Sequence, residues 1–199
     1  AAANAGRHVF VQKPFARTVG EGQAMVEAAE VAGTRMIPSF MHRYFDESLL
    51  ATELVREGAV GQIELIRQRN CTRNPRETAP SYGGAMMDIG AHGIDLVRGI
   101  SGEEIVRVCA KLDDPGVRPD EVREERDLRG GEVNAFMLYE LASGGTVSHE
   151  VQWSQAAGAS RFECEVYGTH GTTMLRVPRT GADIAVHATP DAENPLKEK

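Results

Sequence analysis

The sequence has few of the features that mark secreted, membrane-spanning or metal-stabilised proteins. Its only cysteines are Cys71, Cys109 and Cys164, which are far apart and form no CxxC pair. An odd number of isolated cysteines predicts neither a disulfide framework nor a structural zinc site. The chain does not open with a charged segment and a long apolar core, and it contains no apolar run of about 18 residues. These absences predict a protein of a reducing, cytoplasmic setting.

Positive charge is also scarce. The 199 residues include 22 Lys and Arg against 29 Asp and Glu, for a formal net charge of -7, and no basic stripe is concentrated anywhere. This balance argues against a nucleic-acid partner. With 41% hydrophobic and 26% charged residues, the composition is that of an ordinary globular protein of one large or two small domains. A small-molecule partner is therefore favoured, with no nucleic acid and no membrane.

Residues 1–40 alternate between strand and helix patterns. A helix end closed by Gly6 precedes the apolar run "HVFV". Thr18 and Glu21 form a T-x-x-E capping box before an Ala/Val/Met-rich helix that runs to Gly33, and "RMIPSF" is a second strand. Strand, helix and strand in this order imply a parallel sheet with a right-handed crossover. The segment is predicted to be the final portion of a doubly wound α/β domain.

The pattern after residue 40 changes to one helix followed by many strands. Asp46 is placed to cap a helix that ends at Gly58. Short segments then alternate or run apolar between glycine-containing turns: "GQIELIRQRNC", "EEIVRVCAKL", "VNAFMLYEL", "GTVSHEVQW", "RFECEVYG", "TTMLRV" and "DIAVHA". The mixed-charge segment 116–131 is predicted to be a solvated loop. The fold class is therefore α/β followed by α+β, with an open, mainly antiparallel sheet covered by helices on one face.

The stretch "GGAMMDIGAHGIDLVRG", residues 83–99, has titratable groups in an otherwise apolar context. Asp88, His92 and Asp95 have the spacing i, i+4, i+7, which places them in one row on a predicted helix. The row borders an apolar stripe, and partial desolvation at such a rim shifts pKa values. The row is either functional or structural. In the structural alternative Asp88 caps the helix, Asp95 pairs with Arg98 and His92 is a satisfied, semi-buried histidine.

Several segments resemble, in one order along nearly the whole chain, motifs of the Gfo/Idh/MocA family of NAD(P)-dependent oxidoreductases. "AGRHVFVQKPFA" resembles the family stretch "AGKHVxxEKPxA", and "GGAMMDIGAHGIDLVRG" resembles "GGxxxDxGxHxxD". The intervening "SFMHRYFDESLLATELVREGAVGQI" resembles the linker "GFxxRFxPxxxxxxxLIxxGxxG", and "YELASGGTVSHEVQWS" with "EVYGTHGTTML" is similar to the C-terminal sheet. The resemblance implies the end of a Rossmann domain over 1–40. It implies an α/β substrate and oligomerisation domain over 41–199, incomplete at its C-terminus.

The resemblance also implies roles for four residues. Lys13 matches the lysine that lies beside the nicotinamide of NAD or NADP and the reacting carbon, and Pro14 follows it. A cis Lys13-Pro14 bond is one possibility. Asp88 and His92 match the pair that holds the substrate and moves its proton. Oxidation of a secondary alcohol needs a base for the hydroxyl proton, which suits an imidazole, and Lys13 would stabilise the developing alkoxide.

The other polar candidates are expected to be mainly structural. Asp95 matches the last acid of the family motif. Arg43 matches the linker arginine, whose expected role is pairing with acids, with a substrate contact as the weaker alternative. His42 faces either a cleft or solvent, and His149 and Trp153 are expected to pack rather than to border a pocket.

A metal site is not predicted. His42, Asp88 and His92 are acceptable ligand types, but nothing in their spacing demands a metal. Gln12 stands where the family motif has glutamate, which alters local charge more than catalysis.

The glycine-rich phosphate-binding turn of the family would precede residue 1. The chain is therefore expected to be a fragment of a longer protein that by itself binds NAD(P) weakly or not at all.

The implied activity is hydride transfer between a nicotinamide and a sugar, cyclitol or related polyol. The alternatives are an NAD-dependent glycoside hydrolase of the same fold and a non-catalytic sugar or nucleotide regulator. The open sheet face is expected to form a homo-oligomer.

Overall fold

A computed structural model describes residues 1–72, 83–113, 132–153, 160–178 and 183–188. Contacts between Cα atoms divide the chain into two units, Ala1–Met41 and His42–Lys199. Within the described ranges, no helix is both long enough and apolar enough to cross a membrane. The predicted solvated loop at 116–131 lies outside the described residues.

The first unit is the predicted strand, helix and strand. Strand β1 (Val9–Gln12) pairs in parallel with β2 (Met36–Ser39), and helix α1 (Val19–Val31) connects them. Before β1, a 3-10 turn over Ala3–Ala5 is closed by Gly6, whose φ of 69° lies in the left-handed region. The crossover helix makes this parallel pairing possible, because a short turn cannot join two parallel strands.

The predicted capping box at the start of α1 forms with one bond displaced. The Thr18 hydroxyl oxygen accepts a hydrogen bond from the backbone N–H of Glu21 at 3.2 Å. The Glu21 carboxylate accepts from the backbone N–H of Arg17 at 3.2 Å, one residue before the cap. Arg17 also binds this carboxylate through its guanidinium, so that an ion pair reinforces the cap.

The second unit contains a seven-stranded sheet in the order β4-β5-β6-β3-β7-β8-β9. The β3–β6 pairing is parallel and the other five pairings are antiparallel, as expected for a mainly antiparallel sheet. All of its strands coincide with the segments predicted from the sequence: β3 (Ile63–Cys71), β4 (Ile105–Asp113), β5 (Asn134–Leu141), β6 (Thr146–Gln152), β7 (Ser160–Gly168), β8 (Gly171–Pro178) and β9 (Asp183–Ala188).

The described residues of the second unit include two α-helices. Helix α2 spans Asp46–Arg56 and follows a 3-10 turn over Met41–Tyr44. The prediction that Asp46 caps α2 is wrong, because Phe45 occupies the N-cap and makes no side-chain capping bond. Asp46 is instead the first helical residue, where its charge interacts favourably with the positive end of the helix dipole. Helix α3 spans Ala91–Ser101.

The core of the second unit lies between these helices and one face of the sheet. Alternate residues of β5 show the two faces: Tyr139 is 5% exposed, whereas the neighbouring Leu138 is 55% exposed. Leu96, Val97 and Ile100 of α3 belong to the same buried cluster as the inward residues of the strands. Among the described residues, the central strands of the sheet are therefore covered on one face and open on the other, as their period-two pattern predicts, whereas the edge strand β4 is exposed, with Val108 at 61%.

Candidate active site

The start of the helix that carries the polar row is not α-helical. A π-helical turn over Met86–Gly90 precedes α3. The helix predicted to carry Asp88, His92 and Asp95 in one row differs at its start, because Asp88 lies in the wider π turn and His92 in the first turn of α3. Single π turns within helices occur often at functional sites.

Glu132 holds the beginning of this π turn. The backbone N–H of Ala85 donates to the Glu132 carbonyl oxygen at 2.9 Å. The backbone N–H of Met86 donates to Glu132 Oε1 at 2.8 Å. These bonds satisfy N–H groups that a helix start leaves without intrahelical partners, and the carboxylate suits the positive helix end. Sequence reasoning missed Glu132, because it directly follows the mixed-charge segment and its partners are distant along the chain.

His92 is 7% exposed and stacks on His42. The two ring centroids are 4.1 Å apart, with 16° between the ring planes. The interpretation of His42 as a solvated loop residue is therefore wrong. Across the described part of the chain, no three or more His, Cys, Asp or Glu side chains gather as a metal site would require.

Arg43 pairs with Asp95. The Arg43 Nε donates to Asp95 Oδ2 at 2.6 Å, and its Nη2 donates to the Asp95 carbonyl oxygen at 3.0 Å. The alternative in which Asp95 pairs with Arg98 is wrong, because Arg98 donates from Nε to Glu104 Oε2 at 3.0 Å instead. The Asp95 side chain is 12% exposed and that of Arg43 is 37% exposed, so the carboxylate is largely withdrawn from water and the arginine stays partly solvated. Arg43 makes the acid contact expected of the linker arginine.

A buried polar network lies beneath α3. Asn70 Oδ1 accepts from Gln68 Nε2 at 3.0 Å and is 2.8 Å from His149 Nε2. The Nε2 atom of His149 therefore carries a proton, and its Nδ1, 3.0 Å from the Tyr139 oxygen, accepts from that hydroxyl. Burial lowers the pKa of His149 to about 3 and raises the pKa of Tyr139 above its ordinary value. His149 is thus neutral at pH 7, and its expected packing role fits this burial.

Gly93 allows α3 to approach this network. A Cβ atom at residue 93 would lie 2.2 Å from Asn70 Oδ1 and 2.5 Å from His149 Nε2. Gly93 directly follows His92, so the network supports the backbone that carries His92. Sequence reasoning missed Gln68 and Asn70, although they occupy the inward, alternate positions of β3, where apolar residues are usual.

Lys13 and Pro14 belong to the first unit. They directly follow β1, and the peptide bond between them is cis. In open α/β sheets, ligands bind outside the carboxyl ends of parallel strands, which is the edge where Lys13 lies. Asp88 and His92 belong to the second unit. The juxtaposition of Lys13 with these two residues stays a prediction.

The family is shown by comparison with known proteins. The family model described as the GFO/IDH/MocA C-terminal domain matches residues 49–174, more than half of the chain. The chain belongs to the GFO/IDH/MocA family. This membership confirms the resemblance that the motifs indicate.

A curated relative and a solved structure share sequence with nearly the whole chain. Inositol 2-dehydrogenase 3 of Saccharopolyspora erythraea is 34% identical over 191 residues, which are 93% of this chain and 52% of that protein. The chain thus spans about half the length of this curated relative. The structure of apo scyllo-inositol dehydrogenase from Lactobacillus casei is 27% identical, with a TM-score of 0.68, over 90% of this chain and 51% of that one.

The WlbA dehydrogenase of Bordetella pertussis, solved with NADH and UDP-GlcNAcA, is 23% identical and shares the fold. Its TM-score is 0.76, over 94% of this chain and 58% of that one.

The outer sheet face of this GFO/IDH/MocA domain has alternating charges. Arg69 lies between Glu150 and Glu163, at 3.7 and 3.6 Å, and Arg176 contacts Glu163 at 3.0 Å. A cavity of about 650 Å³ opens on the sheet beside these charges, with the exposed Phe136 in its lining. The face therefore offers both signs of charge and apolar surface.

Proposed function

We propose that the full-length protein is an NAD(P)-dependent oxidoreductase that transfers hydride between a nicotinamide and a sugar, cyclitol or related polyol. The observation that carries this proposal is the placement of His92. It lies at the first turn of α3, stacked on His42, within a motif that is collinear with the family pattern. The inositol dehydrogenases among the relatives support a polyol as substrate.

The proposed proton transfer uses the groups around the start of α3. His92 takes the proton from the substrate hydroxyl as a general base and returns it in the reverse direction. Asp88, one turn earlier, holds a neighbouring hydroxyl and orients the substrate toward His92. Lys13 contributes positive charge that stabilises the developing alkoxide.

The first unit contains residues that fit a nicotinamide cofactor. Lys13 and Pro14 follow the carboxyl end of β1 in a parallel β1-α1-β2 unit, where dinucleotides bind in related architectures. A bound NAD or NADP supplies the hydride acceptor. Lys13 and Pro14 are the residues of this unit that would border its nicotinamide.

We further propose that the protein forms a homo-oligomer through the outer sheet face and acts in the cytoplasm. A two-fold interface brings one patch against itself, so the patch must be self-complementary. Alternating Arg69, Glu150, Glu163 and Arg176 satisfy this requirement, because a rotated copy can place arginine against glutamate.

The cysteines are free thiols, as a reducing compartment requires.

The test is cofactor binding and turnover by the protein expressed from its complete reading frame. Calorimetry should show binding of NAD or NADP, and myo-inositol or another polyol should drive nicotinamide reduction. His92→Gln and Lys13→Ala should each lower kcat about 100-fold or more, because each removes a group from the reacting centre. The matched control is His170→Gln, which replaces an exposed histidine in the same unit as His92. This variant should retain full activity.

Three outcomes would overturn this proposal. Unchanged turnover in His92→Gln and Lys13→Ala would contradict the proposed proton transfer by His92 and the proposed alkoxide stabilisation by Lys13. Cleavage of glycosides by NAD-loaded protein without net reduction would favour the hydrolase alternative. Failure of the complete protein to bind either nucleotide would favour a regulator.

A further inference from the structure

The stacked histidines restrict the orientation of His92. Their rings are nearly parallel, at 16°, and their centroids are 4.1 Å apart, so one full face of the His92 imidazole is covered. His92 is only 7% exposed. A ring with a covered face cannot rotate about its Cβ–Cγ bond unless His42 moves first.

His42 is itself held by aromatic neighbours. The edge of its ring meets Phe162 at a centroid distance of 4.8 Å and 68°, and Phe45 lies at 5.1 Å. Phe162 is 2% exposed and belongs to the buried core, so the support behind His42 is continuous with the sheet.

The residue after His42 attaches the same turn to α3. Arg43 binds both the carboxylate and the carbonyl oxygen of Asp95, one helical turn after His92. Its guanidinium lies close over Gly99, where a Cβ atom would be 3.0 Å from Arg43 Nη1. Two consecutive residues of the 3-10 turn therefore contact α3 one helical turn apart, His42 at His92 and Arg43 at Asp95. These two contacts fix the distance between His42 and His92.

We propose that His42 is a positioning residue that fixes the plane of the His92 imidazole through this stack. The proposal deepens the proposed function and rests on it, since it is His92 that moves the proton there. Proton transfer requires the ring nitrogen to point at the substrate hydroxyl, and small misplacements of a catalytic group are costly. In this role His42 acts on the reaction through the orientation of the His92 ring.

Two substitutions of His42 distinguish the effect of its flat ring from the effect of its ring nitrogens. His42→Phe retains a flat ring for stacking and lacks the nitrogens, and His42→Leu has similar bulk without a plane. In the complete protein, His42→Leu should lower kcat about 10-fold or more with KM nearly unchanged, because the base is misaligned in the reacting complex. His42→Phe should keep kcat within about threefold of the parent. Wild-type kcat in both variants, or equal losses in both, would overturn the proposal.

Histidine ring NMR signals test the stack independently of activity. The ring protons of His92, assigned by their loss in His92→Gln, should be shifted upfield by the ring current of the covering ring. This shift should persist in His42→Phe and disappear in His42→Leu, and thermal unfolding should show that both variants are folded. An unchanged His92 signal in folded His42→Leu would show that no stack exists in solution. Full activity of His92→Gln with an intact stack would instead contradict the proposed function.

Discussion

His149 has 2% of its surface exposed, and its partners Asn70 and Tyr139 are both neutral. Protonation would place a cation in this network without a counter-charge there, which is costly away from water. This desolvation holds the pKa of His149 down at about 3. The ring of His92, in contrast, is covered on one face by the imidazole of His42. His149 and His92 therefore have different surroundings, which residue type alone does not reveal.

The burial of His149 predicts acid sensitivity of the fold. The pKa of His149 is about 3 when folded and about 6.5 when unfolded, so above pH 6.5 neither state is charged and nothing is lost. Between pH 6.5 and pH 3, the imidazole of residue 149 is protonated in the unfolded state and stays neutral in the folded state. The free energy of unfolding should fall by roughly 1.4 kcal/mol per pH unit from this residue, or roughly 3 kcal/mol by pH 4.

Urea unfolding followed by circular dichroism between pH 7 and pH 4 measures this effect. His149→Gln keeps polar partners and cannot titrate, so its stability should change less with pH than that of the parent. Equal slopes in parent and His149→Gln would show that His149 does not titrate as proposed.

At the scale of elements, α3 is positioned by contacts from other elements. Glu132 binds the π turn before it, Arg43 binds Asp95 from the 3-10 turn, and Gly93 lies against the polar network of β3 and β6. Each contact links the helix to a segment distant in sequence. The helix start that carries Asp88 and His92 is therefore oriented by its surroundings rather than by its own helical propensity.

Gly93→Ala should destabilise the protein although alanine is the better helix former. Its Cβ would overlap Asn70 Oδ1 and His149 Nε2, and overpacking of this kind costs about 1–3 kcal/mol. The matched control is Gly20→Ala in α1, where a Cβ atom meets nothing within 4 Å and stability should be unchanged or higher by up to about 1 kcal/mol. Thermal and urea unfolding measure both. A stabilised Gly93→Ala would show that α3 does not lie this close to the sheet.

At the scale of the whole molecule, the three cysteines differ in exposure and therefore in thiol chemistry. Cys109 is exposed on the outer face, whereas Cys71 and Cys164 are buried. Burial raises the pKa of Cys71 to about 11 and that of Cys164 to about 12. Because the thiolate is the reactive species, the two buried thiols are protected both sterically and electrostatically.

A thiol reagent should therefore modify one cysteine rapidly in the native protein and three after denaturation. Cys109→Ser should abolish the rapid phase. If copies associate through the outer face, labelling of Cys109 should slow as protein concentration rises, in step with the larger species seen by sedimentation. Association with no protection of Cys109 would place the interface elsewhere, and rapid labelling of Cys109→Ser would contradict the burial of the other two thiols.

The sequence by itself determined the elements and the family. Short segments that alternate or run apolar between turns predict all seven strands of the large sheet, and the Thr18 cap and its apolar helix predict α1. These features are local, because backbone hydrogen bonding and one-sided burial repeat every two or 3.6 residues. Motif order added the family, and with it the candidate residues Lys13, Asp88 and His92.

Only the tertiary structure decided which polar groups meet. Arg43, not Arg98, pairs with Asp95, His42 covers His92, and Glu132 binds the start of the π turn. Each pairing joins residues of different elements, so it depends on the path of the chain and on strand register. Periodicity reports the face on which a residue lies. It contains no information about the partner that another element brings to that face, and packing makes that choice.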